Sequence, residues 1–178
     1  MNPANGGIMV KNIKVILLIT LIIWLFPTIS NCLIIESSLK DLAKASNLIV
    51  RGNVVRTESY WSNPTWDPNS KIIVTDVTLR INEFIKGTSN SRQLVIQTEG
   101  GEVGDIGLAV EDMPKFSLSE EVIVLLSQTN TKGVRTVTNL HNGKYTIAQG
   151  KILEKDMPTG QFVNKIRETL KELKKEER

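Results

Sequence analysis

Three carboxylates stand within one glycine-rich segment, Glu99-Gly100-Gly101-Glu102-Val103-Gly104-Asp105. Oxygen donors at this spacing suit a hard cation such as calcium, and paired carboxylates also suit acid-base hydrolysis. The spacing matches no EF-hand loop, and no Gly-Lys-Ser/Thr follows to make a phosphate cradle. The glycines therefore have a second reading, in which they allow a bulge or a sharp turn in a β-rich chain. Other reactive groups are scarce. His141 is the only histidine and Cys32 the only cysteine. One cysteine excludes an internal disulfide, and with Cys32 in or beside the apolar leader and His141 expected in a turn, no Cys–His pair, nucleophilic triad or zinc set of the usual kind is expected. The expectation is a protein without catalysis and without a cofactor; a hydrolase built on Glu99, Glu102 and Asp105 is the alternative.

A second segment points to recognition rather than reaction. Tyr60-Trp61-Ser62-Asn63-Pro64-Thr65-Trp66-Asp67-Pro68-Asn69 holds both tryptophans that follow the apolar N-terminal run. Aromatic rings beside Pro and Asn suit contact with a protein surface or a sugar face, which makes Tyr60, Trp61 and Trp66 the candidate partner-binding residues. The competing reading is a lid whose rings cap the end of the fold. Asn63-Pro64-Thr65 is not a glycosylation acceptor, because proline occupies the blocked position.

The N-terminus carries an address. Lys11 and Lys14 precede an uncharged run from Val15 to Ile35, broken by Pro27 and followed by Thr28-Ile29-Ser30. A basic lead, an apolar stretch and a small-residue exit are the three parts of a secretory signal, so residues 1–31 are expected to export the chain to the cell envelope or beyond. An uncleaved anchor is also open, since about 20 residues at roughly 1.5 Å each just cross a hydrocarbon core. Cys32 stands directly behind this run, where a lipoprotein carries its lipidated thiol, although Asn31 sits where a small residue is usual. Either route would tether the chain to a membrane.

Charge narrows the partners further. The full chain has 22 Lys and Arg against 19 Asp and Glu, and Lys11 and Lys14 account for most of the excess. The remainder is nearly neutral, which argues against nucleic acid as a partner. Its length, about 145 residues, is that of one domain with one core.

The elements that must position these residues can be read from pattern. Ser38-Leu39-Lys40-Asp41 has the form of a helix N-cap, followed by a short helix. Strands are predicted at Leu48 to Thr57, Lys71 to Ile85, Gln93 to Thr98, Ile106 to Val110, Glu121 to Ser127, Gly133 to Leu140 and Lys144 to Ala148. In the second, Ile73, Thr75, Val77, Leu79 and Ile81 alternate with Asp76, Thr78 and Arg80, the period of a half-buried strand. His141-Asn142-Gly143 predicts a tight hairpin. Phe162, Val163, Ile166, Leu170 and Leu173 repeat at helical spacing, which predicts an amphipathic C-terminal helix and a charged tail over residues 151–178.

Helix, many short strands, then helix, without βαβ alternation, predicts a mainly β domain over residues 37–150 with an antiparallel barrel or sandwich. Leu48 to Val55, Val77 to Ile81 with Ile85-Lys86-Gly87, Gly100 to Gly104, Met113-Pro114-Lys115-Phe116 and Glu120 to Leu126 together resemble an exported bacterial and archaeal domain family of unknown function. The layout resembles, more distantly, the netrin-like module of tissue inhibitors of metalloproteinases, with its OB-type barrel. That resemblance implies a small OB-like barrel. It does not carry over inhibition, because the inhibitors use a disulfide-tied N-terminal cysteine and Cys32 has no partner. The reading as a whole is an exported, non-catalytic binding module whose partner is an envelope protein or a glycan, with a passive spacer as a further alternative.

Overall fold

The computed structural model describes residues 37–63, 69–129 and 134–176. The leader with Cys32, and Trp66, lie outside the described residues. Helix α1, Leu39–Ala45, starts where the capping pattern places it, with the Ser38 hydroxyl accepting the Asp41 N–H at 3.1 Å. Its carbonyl end is closed by a distant side chain, since the Lys86 ammonium donates to the carbonyls of Ala43 and Ser46 at 2.7 and 2.5 Å.

Strands β1 (Leu48–Ser62), β2 (Ile72–Lys86), β3 (Gln93–Glu99), β6 (Glu121–Leu126), β7 (Lys144–Ala148), β8 (Lys151–Ile152) and β9 (Met157–Pro158) form one antiparallel sheet in the order β3-β2-β1-β6-β7-β8-β9. β4 (Gly101–Val103) and β5 (Ile106–Leu108) make a separate two-stranded ribbon. The protein is thus mainly β, with a short helix near one end of the described region and helix α2, Thr159–Glu176, at the other.

β6 explains how one sheet serves two cores. Val122, Val124 and Leu126 join Val50, Val54, Val77, Leu79, Ile81 and Ile96 on one face, the cleft side. Ile123 and Leu125 join Ile49, Phe162, Val163 and Ile166 on the other, the helix side, where α1 and α2 pack. A continuous apolar run in a strand is the signature of burial on both faces. The amphipathic pattern of the C-terminal segment places α2 as predicted, with Phe162, Val163, Ile166 and Leu173 buried.

Several elements differ from the sequence expectation. β1 runs to Ser62, past the predicted end at Thr57, because its ladder with β2 continues through Ser62↔Ile72 although neither face of that stretch is apolar. Of the strand expected from Gly133 to Leu140, the described part, 134–140, holds two bridges, Arg135 parallel to Ile96 and Val137 antiparallel to Leu126. Backbone bonds tie this segment to both neighbours: Gln97 N–H to Arg135 O at 2.9 Å, Arg135 N–H to Val95 O at 3.3 Å, and Thr138 N–H to Leu125 O at 2.8 Å. The expected hairpin at His141-Asn142-Gly143 is instead a 3-10 turn over Leu140–Gly143, with the positive φ angles at Asn139 and Leu140. Residues 151–158, read from sequence as part of the C-terminal segment, add β8 and β9 to the sheet.

Candidate functional site

The β1–β2 ribbon carries the candidate residues because of one irregularity. The pairing runs Val54↔Leu79 and then Arg56↔Thr78, which leaves Val55 as an extra residue. An inserted residue reverses the side-chain alternation. Beyond it, Thr57, Ser59 and Trp61 lie on the cleft side with Val77, Thr75 and Ile73, while Arg56, Glu58 and Tyr60 lie on the helix side with Thr78, Asp76 and Val74. Without the bulge, Glu58 would point to the core.

Tyr60 and Trp61, predicted on a loop, are therefore strand residues, 37% and 44% exposed. Tyr60 donates its hydroxyl to Asp76 Oδ2 at 3.1 Å and accepts from Gln97 Nε2 at 3.0 Å; Gln97 also donates to Asp76 Oδ1 at 2.8 Å. Partial burial, followed by the hydrogen bond to Asp76 and its charge, raises the Tyr60 pKa above the ordinary value, and the Gln97 bond opposes them. The phenol is held neutral and fixed across β1, β2 and β3. Arg56 and Glu58 pair at 2.7 Å on the same face.

On the cleft side, the segment from Gly100 to Phe116 arches over the sheet and encloses an open cavity of about 740 Å3. Its floor carries Thr57, Ser59, Thr75 and Thr98; Leu108, Val110, Met113 and Phe116 supply apolar walls. Gly100 and Gly101, at φ 96° and 132°, make the fold-back possible, and a Cβ on Gly101 would collide with the hydroxyls of Ser59 and Thr75. Those hydroxyls bond each other at 2.8 Å, and Thr75 donates to the Gly100 carbonyl at 2.7 Å. The turn reading of the glycines is the one the structure bears out.

The three carboxylates are spread along this arch. Glu99 ends β3 and Glu102 lies in β4, both lining the cavity, whereas Asp105 sits in the β4–β5 turn and does not line it. Among the described residues no group of three or more His, Cys, Asp or Glu side chains could hold a metal ion, so Glu99, Glu102 and Asp105 are not gathered into one. His141 is exposed beside Asp112, its Nδ1 3.2 Å from the Asp112 carbonyl.

A nearly buried pair missed from the sequence closes the seam between the arch and the sheet. Glu120 accepts from Lys144 at 2.5 Å, Thr146 at 2.9 Å and the Ser117 N–H at 2.9 Å. The Lys144 and Glu120 side chains are only 11% and 14% exposed, and the ammonium lies 5.2 Å from the Phe116 ring centre. No periodicity signals such a pair, because Glu120 stands just ahead of β6 and Lys144 opens β7, 24 residues further on.

Neither a scan against protein-family models nor a search of curated proteins found a match. Among the described residues no helix is long and apolar enough to cross a membrane. What fold and site define is a mainly β domain with two aromatic residues displayed on one strand end.

Proposed function

We propose that this chain is an exported, non-catalytic binding module of the cell envelope or the secreted space, which meets an envelope protein or a glycan with the far end of its β1–β2 ribbon. The observation that carries the reading is the exposed pair Tyr60 and Trp61 on a paired strand, with the phenol anchored by Asp76 and Gln97. Aromatic groups fixed in advance lose little conformational freedom on binding, which is how rigid recognition surfaces gain affinity. Trp66 belongs to the same connection in sequence and is proposed as a partner-binding residue on that ground alone. The leader pattern of residues 1–31 supports export, with tethering through the apolar run or through a lipid on Cys32.

The architecture proposed for this module is an OB-like barrel of the netrin-like kind. Support comes from the segment 134–138, whose backbone bonds to β3 and β6 complete a ring β1-β2-β3-(134–138)-β6-β1. Residues on the cleft side of those strands form one continuous apolar cluster, as a filled barrel requires.

The test is capture by crosslinking from the chain's own envelope extract, full-length parent beside the Trp61→Ala, Trp66→Ala variant, with a glycan array probed in parallel. A protein or glycan bound by the parent and lost by the variant is the expected result. Equal capture by both forms, or binding by neither, overturns the assignment of the site.

A further inference from the structure

The edge of β1 that faces away from β2 loses its partner partway along. β6 pairs with Leu48 to Asn53, and Val54 exchanges 2.9 Å backbone bonds with Ser119 and Glu120. From Arg56 to Ser62, no strand among the described residues pairs with that edge. The Gly100 N–H donates to the Ile73 carbonyl at 2.8 Å, so Ile73 turns its backbone toward β3. Its cross-strand neighbour Trp61 then turns its own N–H and C=O away from β2, and alternation gives Ser59 and Thr57 the same orientation. Proteins usually blunt such an edge with proline, lysine or a cover. This one has no proline or lysine from Arg56 to Ser62, and its two charged side chains there, Arg56 and Glu58, pair with each other at 2.7 Å.

We infer that this edge takes the same edge of a second copy, antiparallel about a two-fold axis through Ser59. The inference deepens the binding reading above and rests on it for its location. The residues themselves select the register. An axis on Glu58 would set two Glu58 side chains opposite each other. An axis on Thr57 would drive the partner strand's Tyr60 into the segment that holds Val54, and an axis on Tyr60 would carry Arg56 beyond Ser62. With the axis on Ser59 the whole free edge is used: Arg56 faces Ser62, Thr57 faces Trp61 and Glu58 faces Tyr60. Each Trp61 then meets a β-branched threonine on the cleft side. On the helix side each Arg56 lies diagonal to a Tyr60 ring, and the two Glu58 carboxylates lie diagonal to each other rather than directly opposite, each neutralised by its own Arg56 at 2.7 Å.

The test uses the full-length chain with Cys32→Ala, prepared once with Glu58→Cys and once with Tyr60→Cys, mixed under mild oxidation. In the proposed register these positions form a non-hydrogen-bonded pair, with Cα atoms about 4.5 Å apart and within disulfide reach. A disulfide heterodimer several-fold more abundant in the mixture than any homodimer in either preparation alone is expected. A second mixture, Arg56→Cys with Ser62→Cys, probes the outermost pair of the same register, and unchanged melting temperatures confirm folding. No enrichment in either mixture overturns the inference. If crosslinking fails while the tryptophan variant still loses its captured partner, self-pairing falls and the binding reading stands. If crosslinking succeeds while capture is indifferent to the tryptophans, self-pairing stands and the binding reading falls.

Discussion

The β1–β2 ribbon has a root and a tip of opposite character, although both are one continuous antiparallel ladder. At the root, Val50, Val54, Val77, Leu79 and Ile81 are buried on the cleft side, Ile49 is buried on the helix side, and β6 flanks Leu48 to Asn53. At the tip, β1 from Arg56 to Ser62 is mostly exposed and its outer edge is unpaired among the described residues. The β1–β2 pairing itself is more regular at the tip, since its three register shifts all fall between Ile49 and Arg56. What differs is burial, which stabilises the root and leaves the tip to display side chains. Residues of the root also do structural work: Lys86 closes α1, and a Cβ on Gly52 would collide with the Arg80 carbonyl.

The contrast is broken most severely at the root. Leu79 is fully buried opposite Val54, and Leu79→Ala is expected to cost about 4 kcal/mol, a fall in Tm on the order of 10 °C. Trp61→Ala, at the tip, is expected to change stability by less than about 1 kcal/mol, as an exposed position does. Denaturant melts of the two variants decide the matter; similar losses would mean that the tip is part of the core after all.

The seam between root and tip comes next. The Glu120 carbonyl accepts the Val54 N–H where β6 leaves β1, and its carboxylate holds Lys144. Glu120→Ala strands a nearly buried ammonium and is expected to cost about 3 kcal/mol. Adding Lys144→Met should recover most of the loss, because the unpaired charge is then gone. A double variant no more stable than Glu120→Ala alone would locate the cost in the carboxylate's bonds to Thr146 and the Ser117 N–H.

How much of this could be read from sequence follows the same division. Period-2 alternation from Ile73 to Ile81 places β2 within a residue of its bounds, and the 3.6 period places α2, because burial imprints composition. Glu58-Ser59-Tyr60-Trp61-Ser62 has no buried face and so no imprint, although Thr, Tyr and Trp favour extended backbone. The unpaired edge is less legible still, since it depends on where β6 ends, far away in sequence. Arg135 and Val137 bridge two strands without forming one, and a β-like composition does not reveal that.

The gentlest probe of the tip is the titration of Tyr60. Its folded pKa lies above the ordinary value near 10, first through partial burial and then through Asp76, so folding favours the protonated phenol. The linked stability is complete below pH 10 and is lost as pH rises through the folded pKa. At 37% exposure this term is small, and tyrosinate absorbance of the parent against Tyr60→Phe is the sensitive measurement. Asp76→Asn should move the transition down toward its ordinary position without reaching it, because burial remains. Gln97→Ala should move it up, because the Gln97 bond is the one that lowers it. Opposite shifts from two neighbours of one hydroxyl are what a fixed network demands. If both variants titrate like the parent, Tyr60 swings free of β2 and β3, and the tip is not organised in advance of its partner.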